Sequence, residues 1–148
     1  MTTAQTVFEY AIALMDELND QGTADTADTK EYKDRTLPIL NVLIGELYKY
    51  SDTFELGDEG ERPIVSAITN FRSAIGLDDY ICRSVLPYGL AAHLLMAEDP
   101  NTASFCNQRY EELKAGLGEG IPASSVDITD VYGKRGGVDP YNEFGMWS

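Results

Sequence analysis

The sequence contains few residues that could cross-link the chain or bind a metal ion. Its 148 residues include two cysteines, one histidine and one tryptophan. Two cysteines are too few for a secreted disulfide scaffold, and no group of histidine, cysteine and acidic residues has the spacing of a metal site. A chain of this length can bury a sizeable core without such help. We therefore expect a fold held together by apolar packing, with no metal and no cofactor.

The two cysteines are predicted to be free thiols. If residues 78–98 and 101–115 form an antiparallel helix pair, Cys106 lies opposite roughly position 93. Cys82 is then about eleven residues further along the helix, on the order of 16 Å away. This distance is too long for a disulfide, so two buried or half-buried thiols are expected.

Basic residues are scarce as well. The chain has 11 lysines and arginines against 25 acidic residues, a net charge of −14. Such a surface repels nucleic-acid phosphates, which argues against sequence-specific DNA or RNA binding. Two other relations to DNA stay open. The surface could be one past which DNA moves without binding, or the protein could be a mimic of DNA.

Long apolar runs are also missing. The uncharged stretch between Arg83 and Glu98 is shorter than the ~20 residues that a membrane helix needs. The N-terminus has no basic region, and Glu9 and Asp16 interrupt its apolar positions, so it does not resemble a signal peptide. We expect a soluble protein with no membrane contact.

Apolar residues at three- and four-residue spacing predict an all-α fold, a small bundle of about four main helices. The helices are expected at about 3–19, 29–50, 78–98 and 101–115. The second helix is apolar over a wide arc, which favours a central position. The core-facing stripes are Phe8, Ala11, Met15 and Leu18; Leu37, Leu40, Ile44 and Leu47; Ile81, Val85, Tyr88, Ala92 and Leu95; and Ala103, Cys106, Tyr110, Leu113 and Leu117.

The third helix contains the segment VLPYGLAAHLLMAEDP. Pro87 has no backbone N–H for the carbonyl of Arg83, so the helix should kink or start afresh there. The small residues that follow, beginning with Gly89, would let another backbone come close. Asp78 and Asp99 are the expected N-caps of the third and fourth helices, with Pro100 at the first helical position. Glu98 and Asp99 are therefore interpreted as local structure and not as a catalytic pair.

Two segments between the helices lack clear periodicity. Residues 51–63, SDTFELGDEGERP, form an acidic loop that contains glycine. The acids lack EF-hand spacing, so a solvated loop is predicted rather than a calcium site. Residues 64–76 fit either a short helix or an irregular packed segment.

Composition changes after residue 118, which divides the chain into a helical domain, 1–118, and a C-terminal arm, 119–148. The arm is predicted to be mostly non-helical, with a possible short strand at Val126 and Ile128 and a turn at GKRGG. A disordered tail rarely carries so many large apolar side chains, so the arm should pack on its own domain or, as we favour, dock on another subunit. These side chains are Tyr141, Phe144, Met146 and Trp147.

No catalytic residues are predicted. His93 lies beside the apolar stripe without a partner suited to a nucleophilic triad, so a structural or interfacial role is expected. The GKRGG turn lacks the phosphate-loop pattern, because Arg135 stands where a hydroxyl is needed.

One family resemblance is present. Residues 77–118, LDDYICRSVLPYGLAAHLLMAEDPNTASFCNQRYEELKAGLG, resemble the C-terminal helical pair of tailed-phage head–tail connector (adaptor) proteins. The shared pattern is an acidic start, a LPYGLAAHLL-type helix, an EDP corner and a QRYEEL helix. The TVFEYAIALMDEL segment and the long second helix look like proteins of phages and prophages of Firmicutes. The arm departs from the shorter adaptors.

The resemblance implies a structural role without an active site. Such proteins form a ring beneath the portal, extend the DNA channel, and provide the surface on which the next connector or the tail assembles. Partners would be the portal protein, the next connector or tail protein, and other copies of the chain, while DNA passes without specific binding. The expected location is the virion, and the host cytoplasm during assembly.

Contacts in such a ring are assigned to the acidic loop, at Phe54 and Glu55, and to the arm, at Tyr141, Phe144, Met146 and Trp147. Three other functions stay open. They are another phage structural role such as tail completion, an acidic DNA mimic that inhibits a host protein, and a small enzyme that uses His93.

Overall fold

The computed structural model describes residues 1–62 and 65–119, and these residues form a helical fold. The main helices are α1 (Ala4–Leu14), α2 (Lys30–Leu47), α3 (Leu86–Leu95) and α4 (Pro100–Glu119). A 3₁₀ turn, Tyr48–Tyr50, follows α2, and a π-helical turn, Ile81–Val85, leads into α3. Met1–Gly118 form one compact unit. The predicted all-α class with four main helices is confirmed.

The rest of the predicted arm, including the possible strand at Val126 and Ile128, lies outside the described residues. Within the described ranges no strand forms. The only β-type pairing there is an isolated bridge between Thr3 and Ala74. No helix in the described ranges is both long and apolar enough to cross a membrane.

α1 ends earlier than the predicted residue 19, at Leu14, because the chain turns in a Schellman motif. Asp16 adopts a left-handed conformation, with φ 61°. Its N–H donates to the carbonyl of Ala13, and the N–H of Glu17 donates to Ile12, both at 3.1 Å. Glycine is the usual residue at this position, and aspartate is one of the few others that tolerate it. Leu18 is consequently 40% exposed and does not extend the stripe.

α2 and its 3₁₀ extension span nearly the predicted range, 29–50, and Pro38 is accommodated inside the helix. Thr29 stands at the N-cap, but its hydroxyl donates to the carbonyl of Ala24 at 2.6 Å instead of capping the helix. Of the predicted stripe, Leu40, Ile44 and Leu47 are buried.

Residues 65–76 form an irregular packed segment, the second of the two predicted alternatives. Asn41 of α2 holds it through both side-chain groups. Its Oδ1 accepts from the N–H of Ile68 at 2.8 Å, and its Nδ2 donates to the carbonyl of Ile68 at 3.1 Å. Further along, Phe71 packs edge-on against Phe8, with 5.9 Å between ring centroids. The segment therefore closes one side of the core without regular structure.

α3, and not α2, is the central helix. Eight of its ten residues are buried, and it contacts both α1 and α2. A helix that is apolar on all sides is buried on all sides, so the stripe of five residues assigned to it was too narrow. α2 touches more than one neighbour, as its wide apolar arc predicts, since it contacts α1 and α3 and its Glu46 binds Tyr110 of α4, but α3 is the more deeply buried helix.

The helix restarts at Pro87 by way of the π-helical turn. The N–H of Leu86 donates to the carbonyl of Ile81, five residues back, and α3 then begins at Leu86 with Pro87 in its first turn. A proline is tolerated in the first turn because its missing N–H has no helical partner there. One of the two predicted outcomes, a fresh start, is confirmed.

Gly89 admits an aromatic ring and not, as predicted, a backbone. A Cβ atom at this position would lie 2.8 Å from Cδ1 and Cε1 of Tyr110, and 3.1 Å from Cδ1 of Leu43. Tyr110 belongs to α4 and Leu43 to α2, so both helices approach α3 where it lacks a side chain. The glycine thus allows three helices to meet at one point.

The corner between α3 and α4 is built as the sequence predicts. Asp99 accepts hydrogen bonds from the N–H of Thr102 at 3.2 Å and from its hydroxyl at 2.7 Å, and Pro100 opens α4. The helix continues through Gly116 and Gly118 to Glu119, further than predicted. Near its end, a Cβ at Gly118 would lie 3.7 Å from the ring of Tyr50, an ordinary packing distance.

Candidate functional site

His93 lies on the exposed face of α3, close to the corner. It borders a shallow groove of about 220 Å³ that is also lined by Met96, Pro100 and Ala103. No buried, water-shielded pocket surrounds its imidazole. In the described part of the chain, no three side chains of His, Cys, Asp or Glu are grouped so that they could hold a metal ion.

The strongest polar cluster joins α4 to α2. Tyr110 is buried, and its hydroxyl donates to Oε1 of Glu46 at 2.8 Å, while Nζ of Lys114 donates to Oε2 at 2.7 Å. The hydrogen bond from Lys114 lowers the pKa of Glu46 below its ordinary value. Burial acts to lower the pKa of Lys114, but hydrogen bonds to Glu46 and Glu111 outweigh it and raise this pKa. The carboxylate of Glu46 accepts from both Tyr110 and Lys114, so the cluster stabilises the packing of α4 on α2.

Glu98 forms a tertiary contact that the local interpretation of the corner missed. Its Oε1 accepts a hydrogen bond from the hydroxyl of Tyr32 in α2 at 2.6 Å. Burial and the neighbouring carboxylate both raise the pKa of Tyr32 above its ordinary value. Asp99, by contrast, acts locally as predicted. The two acidic residues therefore have different structural roles.

Cys82 and Cys106 are free and buried, as predicted. Burial raises the pKa of the Cys82 thiol to about 12, and burial also raises that of Cys106. The thiolate is the reactive form of cysteine, so neither residue has the character of a nucleophile.

The acidic loop is anchored at its base by Asp78. Asp78 caps the third helical segment by accepting from the N–H of Ile81 at 3.0 Å. Its second oxygen accepts from the N–H of Asp52 at 3.0 Å, and its own N–H donates to Oγ of Ser51 at 2.9 Å. A second anchor joins the hydroxyl of Thr53 to the carbonyl of Gly76 at 2.7 Å. The predicted N-cap is confirmed, and it also fixes where the loop leaves the fold.

The loop has a folded entry and an exposed tip. Phe54 is half-buried against Tyr48, with 5.3 Å between ring centroids, so this predicted contact residue is occupied within the chain. Glu55 is exposed. Leu56 is 63% exposed, and the backbone then turns through Gly57 and Gly60. The other predicted contact residues, Tyr141, Phe144, Met146 and Trp147, lie outside the described residues.

A groove lined by tyrosine and arginine opens between α1, the π-helical turn, α3 and α4. Its volume is about 500 Å³. We name it the tyrosine–arginine groove; its lining includes Tyr10, Leu14, Tyr80, Arg83, Pro87, Tyr88, Arg109 and Leu113. It is open to solvent along its length, with Tyr80 61% exposed. Four separate segments of the fold thus contribute to one surface.

The charged side chains that line this groove are both arginines, Arg83 and Arg109, and acidic residues stand beside them: Asp79 borders the adjoining hollow with Arg83, and Glu112 pairs with Arg109. Arg109 lies 6.0 Å from the ring centroid of Tyr88 and forms an exposed ion pair with Glu112 at 3.4 Å. Arg83 forms no ion pair with any residue among 1–62 and 65–119. Two guanidinium groups therefore flank an aromatic surface on a chain with a net charge of −14.

Sequence reasoning missed this groove. Tyr80 and Arg83 lie three residues apart, and this spacing indicates one helical face. No local pattern connects that face with Tyr10 in α1 or Arg109 in α4, because the chain brings them together only through packing on α3.

Comparisons of this chain with protein-family models, with curated proteins and with solved structures gave no match.

Proposed function

We propose that this chain is a structural phage protein, a head–tail connector that docks on the portal as a ring and extends the DNA channel. The observation that carries the proposal is the resemblance of residues 77–118 to the helical pair of connector proteins. Its distinctive residues have packing and capping roles: Asp78 and Asp99 cap helices, and Gly89 receives the ring of Tyr110. A motif used in this way suits a scaffold that presents surfaces to other virion proteins.

The charge of the chain supports the same proposal. A channel that double-stranded DNA must pass has to avoid holding its phosphates, and carboxylates repel them. Among the described residues, acidic side chains are exposed on the loop at Glu55, Asp58 and Glu59 and on α4 at Glu111 and Glu112. The net charge of −14 is therefore compatible with a surface that faces moving DNA.

The same charge also favours a second candidate, an acidic mimic of DNA that occupies a DNA-binding protein of the host. A mimic needs dense acidic groups on one face, spaced like phosphates. Of the nine basic residues that precede the arm, Arg83 and Arg109 are both exposed in the tyrosine–arginine groove. Positive charge at this surface does not imitate phosphates. Competition of the protein with duplex DNA for a basic host protein distinguishes the two candidates, because a connector does not compete. Tail completion, a further structural role, predicts binding to the tail end and not to the portal.

The test of the connector role is binding to the portal ring encoded by the same phage. The full chain, mixed with portal rings and viewed by electron microscopy, should add a ring of density beneath the portal. A chain ending at residue 118 should keep its helical circular dichroism signal and lose portal binding. Full-length Tyr141→Ala with Trp147→Ala should weaken binding, whereas the exposed pair Lys30→Ala with Arg72→Ala should not.

Unimpaired portal binding by the shortened chain would contradict the assignment of the arm. Absence of any portal binding by the full chain, under conditions in which the portal ring is intact, would refute the connector role itself.

A further inference from the structure

We infer that the tyrosine–arginine groove is the docking surface for the acidic loop, residues 55–61, of a second copy of this chain. The inference rests on the proposed function in one respect: a ring requires a contact between neighbouring copies. The contact is argued from the charges and exposure of the two surfaces, and its test requires no portal.

The groove has the composition of a protein-binding surface. Tyrosine and arginine are, with tryptophan, the residue types enriched among the side chains that dominate binding energy in interfaces. Tyr10, Tyr80 and Tyr88 supply aromatic faces, and Pro87 and Leu113 supply apolar surface between them. Arg83 and Arg109 stand at the same groove as positive groups that can pair with carboxylates. Its ligand should therefore combine an apolar anchor with negative charge.

The acidic loop has the complementary composition. Its tip, ELGDEGE, places the exposed Leu56 among Glu55, Asp58, Glu59 and Glu61. The tip is already folded: the N–H of Gly60 donates to the carbonyl of Gly57 at 3.0 Å, and Gly60 has φ 78°. Its base is fixed by the Asp78 contacts. A loop that is shaped before binding loses less conformational entropy when it docks.

The two surfaces are different patches, as a head-to-tail contact requires. When one patch meets a different patch on the next copy, a closed rotation generates a ring. Two copies that each carry a charge of −14 repel one another except where arginines meet acids. We therefore expect a weak contact in isolation, with a Kd on the order of 1 mM, which crowding of copies on a template would strengthen.

The test is an exchange of charge between full-length variants. The groove variant carries Arg83→Glu and Arg109→Glu, and the loop variant carries Glu55→Lys and Asp58→Lys. The four side chains are exposed, so both variants should fold. Matched controls reverse the same number of charges at exposed positions elsewhere: Lys30→Glu with Arg72→Glu, and Asp20→Lys with Asp28→Lys. Self-association is measured by sedimentation equilibrium at physiological salt up to about twice the expected Kd.

The wild type should associate with increasing concentration, and each charge variant alone should associate at least tenfold more weakly. An equimolar mixture of the groove variant and the loop variant should recover association, because each copy then meets a partner of opposite charge on both sides. The two controls should behave like the wild type. Folding of every variant is checked by its helical circular dichroism signal.

Three outcomes overturn the inference: a wild type that stays monomeric over this range, a mixture that does not recover, or a loop variant that associates like the wild type while the groove variant does not. The last outcome assigns the groove to another segment of the chain. Portal binding is measured separately. A failed exchange with intact portal binding removes only this inference, and a successful exchange without portal binding removes only the connector role.

Discussion

Replacement of Gly89 by alanine tests whether close packing at one point holds α2, α3 and α4 together. In the wild type, the space that a Cβ would occupy is taken by the Tyr110 ring, 2.8 Å away, and by the Leu43 side chain, 3.1 Å away. The ring cannot easily withdraw, because its hydroxyl is bound to Glu46 on the far side. The added methyl group therefore forces the helices or the ring to move.

The matched control is Gly45→Ala in α2, where no heavy atom lies within 4 Å of the added Cβ. Alanine in place of glycine inside a helix stabilises by about 1 kcal/mol. Overpacking a tight site costs about 1–3 kcal/mol. Gly45→Ala should thus raise the free energy of unfolding by about 1 kcal/mol, whereas Gly89→Ala should lie about 1–3 kcal/mol below that control. The helix-propensity contribution cancels between the two variants, so their difference isolates the packing cost.

Urea denaturation followed by helical circular dichroism gives the free energies of unfolding. A second measurement, Gly89→Ala in a Tyr110→Leu background, should show a smaller cost than in the wild type, because the ring that obstructs the methyl group is gone. If Gly89→Ala is as stable as Gly45→Ala, or if the cost is the same in both backgrounds, the packing argument for α3 is refuted.

Two further predictions concern the polar anchors. Asp78→Ala should destabilise the protein by about 1–2 kcal/mol, and more than Asp99→Ala, because Asp78 caps a helix and also holds the loop at Ser51 and Asp52; equal losses in urea denaturation would contradict the second role. The pKa of Glu46 is depressed in the folded protein, so the stability that its carboxylate contributes is present above the ordinary glutamate pKa of 4.5 and is lost as pH falls through the lower folded value. The stability difference between the wild type and Glu46→Gln, about 1 kcal/mol because Glu46 itself is exposed, should therefore shrink below pH 4.5 and stay constant above pH 6. A difference that grows with acidity would refute this assignment.

Much of the helical framework followed from local rules. Apolar spacing located all four main helices. Aspartate before an apolar run, or before proline, identified the caps at Asp78 and Asp99 because an N-cap depends on residues within one turn. The end of α1 was wrong because Asp16 takes the left-handed position that glycine usually occupies, and composition alone does not distinguish the two.

The central position of α3 was missed for a different reason. Burial on all sides depends on which neighbours surround a helix, and periodicity reports only the width of its apolar face. The candidate site shows the same limit. The loop, its acids and Glu55 were assigned from composition, but Phe54 turned out to be packed on Tyr48 and Leu56 to be the exposed apolar residue.

The sequence by itself determined that the chain is acidic, helical and capped at its two aspartates, because charge, apolar period and N-capping act over a few residues. Only the tertiary structure decided that α3 lies at the centre, that Gly89 receives the ring of Tyr110, and that Tyr10, Tyr80, Arg83 and Arg109 line one groove. Those residues are separated by up to about a hundred positions along the chain, and packing on α3, not any local preference, brings them together.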